Sequence, residues 1–543
     1  MTPRLPHPSP RTVETWMTIE IEVTAEQDHP DPTEIDVDAV FTSDDGRTIR
    51  RPAFWDGDGI WRIRFAPTGP GDWAMVTSSS VADPGLEGVT EIVRALPYAG
   101  GLEIYRRGFL RVAPSGRHFE YADSTPFFYL GDTHWILPHE RFETSNAPGV
   151  DSQFRHLVDV RVGQGFTVYQ SEPIWQPHAD DPRPHDAADE EHVANLTTGF
   201  DEFDLPGFRN LDRKFRYIAE QGLVHANAQI TWVLDPVKHP EIFTAAFMAR
   251  MARYWVARYG SYPVIWTIGQ EIDPDMYHQY SADALEVWFA VGRAIEQNDD
   301  YGHVIMPHME NTASATASTS SWKDHSFHHA FGAQVDTWNT AAIRDFWEQP
   351  SPKPSVVYET RYDGFWTDDA GAVAAGYNAF QLGLFGYGYG ASGIWNDVYS
   401  RPGEAADFGT DYELPERYSW WFDSVSKPAG TQLGLLRTFY ESLDWWRLEP
   451  RFDDPAWGVL EDGHYVATIA HDTYVVALAH PSALATNGVI RGLENAAYDA
   501  SWFDPRSGRS LAASSGFVSA SGEWRLPPAP SSALWILLVT RSN

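Results

Sequence analysis

The sequence predicts an α/β protein: a (β/α)8 TIM barrel flanked by N-terminal and C-terminal β-sandwich domains. Three observations predict it. The 543 residues exceed one ordinary domain and leave room for a barrel and two smaller modules. The hydrophobic pattern changes twice, from short alternating segments to apolar runs separated by long amphipathic stretches, and back again. The central region holds eight apolar runs, the number of strands that closes such a barrel.

Residues 12–97 carry alternating segments such as TWMTIEIEV, TEIDVDAVFT and GIWRIRFAP, broken by DDG, GDG and TGPGD turns, which is the pattern of a β-sandwich. From about residue 103 the chain alternates strands with helices. The strands are expected at 126–132, 165–171, 223–233, 263–269, 303–309, 334–339, 355–360 and 391–396. Between them, residues 241–260 read as a helix ending on Gly260, residues 281–299 as one beginning on Ser281, and 431–448 as the last helix. Strand-and-turn patterning returns in YVATIAH, TYVVALAH, SWFDPRSG and SALWILLVT. The expected domains are 1–99, 100–448 and 449–543.

Composition narrows the function. A net charge of −35 repels phosphate backbones, so nucleic acid is excluded as a partner, and no run of about 18 apolar residues offers a membrane span. Neutral sugars are indifferent to that charge. The first residues lack the apolar core of a secretory signal and the chain has no cysteine, which together point to a cytoplasmic protein if Met1 is the true start. Absence of cysteine also removes thiolate metal sites and a cysteine nucleophile. The 23 Trp offer flat apolar area with one N–H donor, a surface suited to sugar rings. No cofactor is expected, the expected partner is a small glycoside or oligosaccharide, and a homo-oligomer is left open.

The working face of such a barrel is the C-terminal end of its strands. Those ends read Asp132, His134 and Trp135; Glu172; Gln229 and Trp232; Gln270 and Glu271; His308; Trp338 and Asn339; Glu359; Trp395 and Asn396. Carboxylates, amides, His and Trp are what glycoside hydrolysis requires: two carboxylates about the scissile bond, polar groups for hydroxyls, and an aromatic floor. Glu271 and Glu359 close strands four and seven, where the clan A barrel glycosidases carry acid/base and nucleophile, so these two are the expected catalytic pair. Trp266 or Trp395 is expected to desolvate the acid, and Trp395 to be the stacking platform. Asp273 or Asp132 could take the acid's place. His325, His328 and His329 in HSFHHA invite a metal reading, but the glutamate of H-E-x-x-H is missing, so no metal site is expected.

The run GFLRVAPSGRHFEYADSTPFFYLGDTHW resembles the opening of the apiosidase-like catalytic domain of glycoside hydrolase family 140, and YGYGASGIWND resembles that family's strand-eight element. IWRIRFAPTGPGDWAMVTSS and SWFDPRSG are similar to the sandwiches that flank it. The resemblance implies a retaining glycosidase, with Asp132 and Trp135 in the glycone pocket, Glu359 as nucleophile and Glu271 as acid. Where the family has an Asp in a G-G-D setting, this chain reads Gly269, Gln270, Glu271. The expected reaction is therefore exo-hydrolysis of a terminal apiose-like or other furanose or pentose residue. A pyranosidase, a non-catalytic sugar-binding protein and a metal-dependent barrel hydrolase are the alternatives. The last lacks the H-x-H expected on strand one.

Overall fold

The computed structural model describes residues 10–173, 205–228, 240–241, 243–272, 282–309, 322, 325–402, 419–460, 464–478 and 488–542. Gln229, Trp232, Asp273 and Ser281 lie outside the described residues.

Eight parallel strands form the central sheet: β1 (Tyr129–His134), β2 (Val168–Ser171), β3 (Val224–Ala228), β4 (Val264–Ile268), β5 (His308–Met309), β6 (Phe331–Gln334), β7 (Ser355–Glu359) and β8 (Gly386–Tyr389). Their order is β4-β3-β2-β1-β8-β7-β6-β5. The open edges meet where Trp266 N donates to Val304 O at 2.9 Å and Met306 N to Trp266 O at 2.7 Å, closing the barrel. Helices α1 (Gln153–Gly163), α2 (Leu205–Glu220), α3 (Ala245–Tyr259), α4 (Ala282–Asn298), α5 (Thr340–Trp347), α6 (Asp369–Gln381) and α7 (Pro428–Glu441) surround it. Thr244 caps α3 through its side chain and Gly260 follows its end, as the sequence led one to expect of Gly260.

Two strands differ from expectation. The sixth ends at Gln334, so 335–339 is the loop beyond it, and Asn339 serves as the N-cap of α5 with its side chain accepting from Ala342 N. The eighth is Gly386–Tyr389; the run 391–396 is a compact turn after it. Apolar residues drew the eighth assignment to IW, but glycine-rich GYGY is the strand because its neighbours leave no room for larger side chains. A Cβ at Gly131 or Gly388 would collide with the Gln170 amide, which fills the barrel axis and bonds Tyr129 Oη (3.0 Å), Thr133 Oγ1 (3.2 Å) and Tyr358 O (2.8 Å).

A small sheet of Leu110–Val112, Phe119–Tyr121 and Pro126–Phe127 seals the N-terminal end, its Leu110, Phe119 and Phe127 packing with Tyr129, Val168, Ile265 and Val356 of the barrel interior. Only the C-terminal end remains as a mouth.

Strand alternation then decides which side chains reach it. On β1, Tyr129 belongs to the interior cluster and Leu130 to the helix-facing one. Asp132 and His134 share Leu130's parity, and their partners are outside the barrel wall. Arg161 Nε of α1 donates to Asp132 Oδ2 at 2.7 Å, His134 Nε2 lies 2.9 Å from the same oxygen, and His134 Nδ1 meets Glu140, whose other oxygen accepts from Tyr169 Oη at 2.8 Å. The expectation that Asp132 and His134 line the pocket is corrected: they join β1 to the helix layer. Trp266 likewise faces outward, its Nε1 donating to Asp299 Oδ2 at 2.7 Å, so it does not desolvate a mouth carboxylate.

Both flanking regions are pairs of facing sheets. In the first, strands 11–14, 90–96, 71–79, 37–43 and 48–52 form one sheet and 19–24, 60–65 and 54–55 the other, with Phe41 stacked on Phe65 between them at 3.8 Å. In the last, a six-stranded sheet faces a three-stranded one over Val466, Tyr474, Trp502 and Leu537. The first docks on the barrel through buried charge: Arg64 and Arg258 both bond Asp212 of α2, at 2.7–3.0 Å.

The two guanidiniums hold the Asp212 carboxyl well below its usual range against the opposing effect of burial, so this contribution to stability is lost as pH falls through that depressed value. Asp212→Ala removes the carboxylate shared by two buried guanidiniums, leaving Arg64 with Glu20 and Arg258 with Asp56, and is expected to cost about 3 kcal/mol, read as a fall in the urea midpoint. Burial alone would lower the His134 pKa, but Glu140 and Asp132 outweigh it and push it up to about 9. Its contribution is therefore full below the unfolded value of about 6.5 and is lost as pH rises through 9. Wild type should lose melting temperature between pH 7 and 10 more steeply than His134→Gln; parallel curves would refute the pairing.

Candidate active site

The strand ends supply the mouth by the same alternation. β4 is bulged against β3 between Asn227 and Ala228, and Ile268 (φ 66°) and Glu271 (φ 52°) adopt left-handed backbone. For a β-branched residue such as Ile268 this costs on the order of 1–3 kcal/mol, and it persists only where packing over-determines it. The turn carries Gln270 and Glu271 to opposite neighbours. With its nitrogen facing the carboxylate, the Gln270 amide donates to Glu172 Oε1 at 2.9 Å, whereas Glu271 Oε1 accepts from Gln334 Nε2 at 3.1 Å. Ile272 N then donates to His308 O at 3.0 Å, fixing the segment to the end of β5.

Glu359, the last residue of β7, is 5% exposed. Tyr362 Oη donates to its Oε1, and His308 Nε2 lies 3.2 Å from its Oε2 without the alignment of a hydrogen bond. Trp135 Nε1 donates to Tyr362 Oη at 2.5 Å, and the Trp135 ring lies over His308 at 5.4 Å. Burial, and then the Glu359 charge, push the Tyr362 phenol well above its ordinary range, which keeps it a proton donor to that carboxylate. The charge of Glu271 acts on the same phenol in the same direction. Tyr358, raised first by burial, feels Glu172 and Glu359 together. Three carboxylates thus surround two protonated phenols.

One residue joins the two catalytic candidates. Gln334 is the register partner of Glu359 across β6 and β7, and its amide holds Glu271. Neighbouring strand ends, through Gln334 and His308, therefore tie β4 to β7 across the mouth.

Of the residues expected at the site, Trp135, Glu172, Gln270, Glu271, His308 and Glu359 are gathered by these contacts. Trp395 joins them from the turn after β8, accepting Trp135 N on its carbonyl at 3.2 Å, but its ring is stacked on Tyr362 at 4.7 Å and is 6% exposed. Asn396 next to it accepts from Gly393 N at 2.9 Å and shapes that turn. Trp338 lies four residues beyond β6, half-buried, its N–H donating to Asp336 Oδ1 at 3.1 Å.

Sequence reasoning passed over Tyr362, Gln334 and Trp366. Gln334 was read as the start of a strand rather than its end; a frame shifted by three residues reveals it. Tyr362 and Trp366 sit in an irregular loop where no periodicity points to them.

Among the described residues, no group of three or more His, Asp or Glu side chains could hold a metal ion, and no helix is long and apolar enough to cross a membrane. In HSFHHA, His325 stacks on Phe327 at 4.8 Å and His329 Nδ1 accepts from Ile305 N at 3.1 Å, so the imidazoles have separate neighbours.

In fold, the chain is similar to a candidate glycoside hydrolase from Bacteroides vulgatus, with TM-score 0.70, 17% identity, and coverage of 98% of this chain and 100% of that one. It is also similar to a glycoside hydrolase family 5 protein of the same organism, with TM-score 0.63, 18% identity, and coverage of 81% and 94%. No curated protein matches the sequence. Residues 12–80 match a domain of unknown function, DUF5060, and residues 113–447 match the apiosidase-like catalytic domain. That match spans the barrel from the sealing sheet to the last helix, and the chain accordingly belongs to the apiosidase-like family of glycoside hydrolases.

Proposed function

We propose that this glycoside hydrolase acts with retention of configuration, Glu271 serving as acid/base and Glu359 as nucleophile, and that it removes a terminal furanose or apiose-like pentose in exo fashion. The observation that carries the reading is the linkage of the two carboxylates through Gln334, which belongs by register to Glu359 and by hydrogen bond to Glu271. Retention needs the carboxyl groups about 5–5.5 Å apart on either side of the anomeric carbon. Glu271 protonates the glycosidic oxygen while Glu359 attacks the anomeric carbon and expels the leaving group. Glu271, now ionised, takes a proton from water, which opens the glycosyl ester and returns both groups to their starting states.

The contacts of Glu359 suit a nucleophile. Tyr362 keeps one oxygen oriented, and among the described residues the other oxygen faces His308 without an aligned donor, so it keeps a lone pair for attack. Exo action is supported by the burial of the groups about the attack position: His308 is 1% exposed, Glu359 5% and Trp135 6%. The shorter family acid, Asp, is replaced by Glu271, which reaches about one methylene further and is held by Gln334. A pyranose glycone is the outcome that this difference would explain.

The test is a panel of aryl glycosides covering apioside, arabinofuranoside, galactofuranoside, glucoside and xyloside. Glu271→Ala should lower turnover about 10²–10⁴-fold, least for the best leaving groups. Glu359→Ala should be inactive until azide is added, and should then yield the glycosyl azide of inverted configuration. Activity that survives both substitutions would remove these residues from the chemistry; sugar binding without turnover in wild type would make the chain a binding protein.

A further inference from the structure

A cavity of about 410 Å³ opens between the loops after β6 and β7, lined by Gln334, Val335, Asp336, Thr360, Arg361 and Trp366. Its volume lies within the roughly 300–1,000 Å³ of small-molecule sites. Its position follows from the strands beneath it. Gln334 ends β6, and Thr360 and Arg361 directly follow Glu359, so the cavity adjoins both carboxylates. It begins on the side of Glu271, because the Gln334 amide that lines it donates to Glu271.

Resting on the reading of Glu271 as the acid, we infer that this cavity is the leaving-group site and that Trp366 and Arg361 make a neutral sugar the preferred leaving group. The group that receives the acid's proton departs on the acid's side, which is where the cavity lies.

The walls have two chemistries. Trp366 is 52% exposed, the one aromatic among the exposed large apolar side chains of the described residues. It is held in place nonetheless: its ring stacks on Tyr362 at 5.1 Å and 16°, and Phe365 meets it edge-on at 4.8 Å. A ring fixed on one face and open on the other is a prepaid platform, since little rotamer freedom is lost when a ligand covers it. Facing it is a polar edge, where Arg361 Nη2 bonds Asp336 Oδ2 at 2.7 Å, both side chains partly exposed. A pyranose ring has the matching form, with a C–H face for the indole and hydroxyls that donate to Asp336 and accept from Arg361. A purely aromatic or alkyl group satisfies only Trp366. A uronate would have to compete with Asp336 for the guanidinium, and it would enter a protein of net charge −35.

The experiment compares two substrates that share the glycone found by the panel: its glycosyl fluoride, whose leaving group fills none of the cavity and needs little acid assistance, and its disaccharide with glucose. Trp366→Ala and Arg361→Ala should each lower the ratio of kcat/KM for disaccharide over fluoride about tenfold, chiefly through KM, with Trp366→Phe restoring most of the loss. Equal losses on the two substrates would mean that Trp366 only supports Tyr362, and would overturn the inference while leaving the catalytic pair intact. An unchanged ratio would overturn it as well. Glu271→Ala should lower kcat/KM for the disaccharide far more than for the fluoride; equal losses on both, or no loss on either, would instead overturn the reading of Glu271 as the acid, and the inference with it.

Discussion

The barrel closes on two backbone hydrogen bonds between β4 and the segment preceding β5, and the position of everything at the mouth depends on that seam. Among the described residues strand β5 contributes only His308 and Met309 to the ladder, so the pairing of Trp266 with Ile305 holds together two edges that would otherwise be exposed. Above the seam, six residues beyond Trp266 and three beyond Ile305, Ile272 N reaches His308 O. His308 in turn faces Glu359. A seam of backbone bonds therefore sets the distance between Glu271 beyond one strand and Glu359 three strands away, and backbone geometry is less forgiving than side-chain packing. The left-handed residues at 268 and 271 belong to the same construction, since a regular strand would continue past the mouth rather than turn Gln270 and Glu271 toward two different partners.

Much of this was legible in the sequence, for reasons that can be named. The apolar runs that became β1, β4 and β7 are flanked by polar residues, and length separates them from the helices, so the sequence shows Glu359 as a strand end and Glu271 beside one, in the turn just past β4. The side on which a residue falls was harder. His134 and Trp135 were both drawn into the pocket, although adjacent residues of a strand point to opposite faces; the period of two, applied strictly, would have sent His134 outward. The eighth strand was missed because GYGY lacks the bulk that marks a strand, and its glycines answer to Gln170, a contact between distant residues. Tyr362 and Trp366 depend on the path of a loop, which no pattern of hydrophobicity encodes.

The outward residues of β1 are not idle for having left the pocket. Arg161, Asp132, His134, Glu140 and Tyr169 form a continuous buried chain of charge and hydrogen bonds between α1 and the first two strands. Desolvated charges of this kind are costly unless every partner is present. They specify one arrangement of β1 against α1, and Trp135, the next residue along, inherits its orientation from that arrangement. The motif around residues 130–135 reads as one piece of sequence but does two jobs, one on each side of the wall.

The glutamine in the barrel axis has a further consequence for how the sequence can change. Gln170 spans the interior from β2, bonding β1 and β7, and occupies the space where side chains from residues 131 and 388 would stand. Three positions on three strands are therefore a single choice. A larger residue at Gly131 becomes tolerable only after the amide has gone, one at Gly388 is barred by Tyr358 O as well, and the loss of the amide opens a hole that the glycines cannot fill. Neutral drift one substitution at a time is blocked in both directions, so a lineage that carries this trio is held in it by the geometry of its own core.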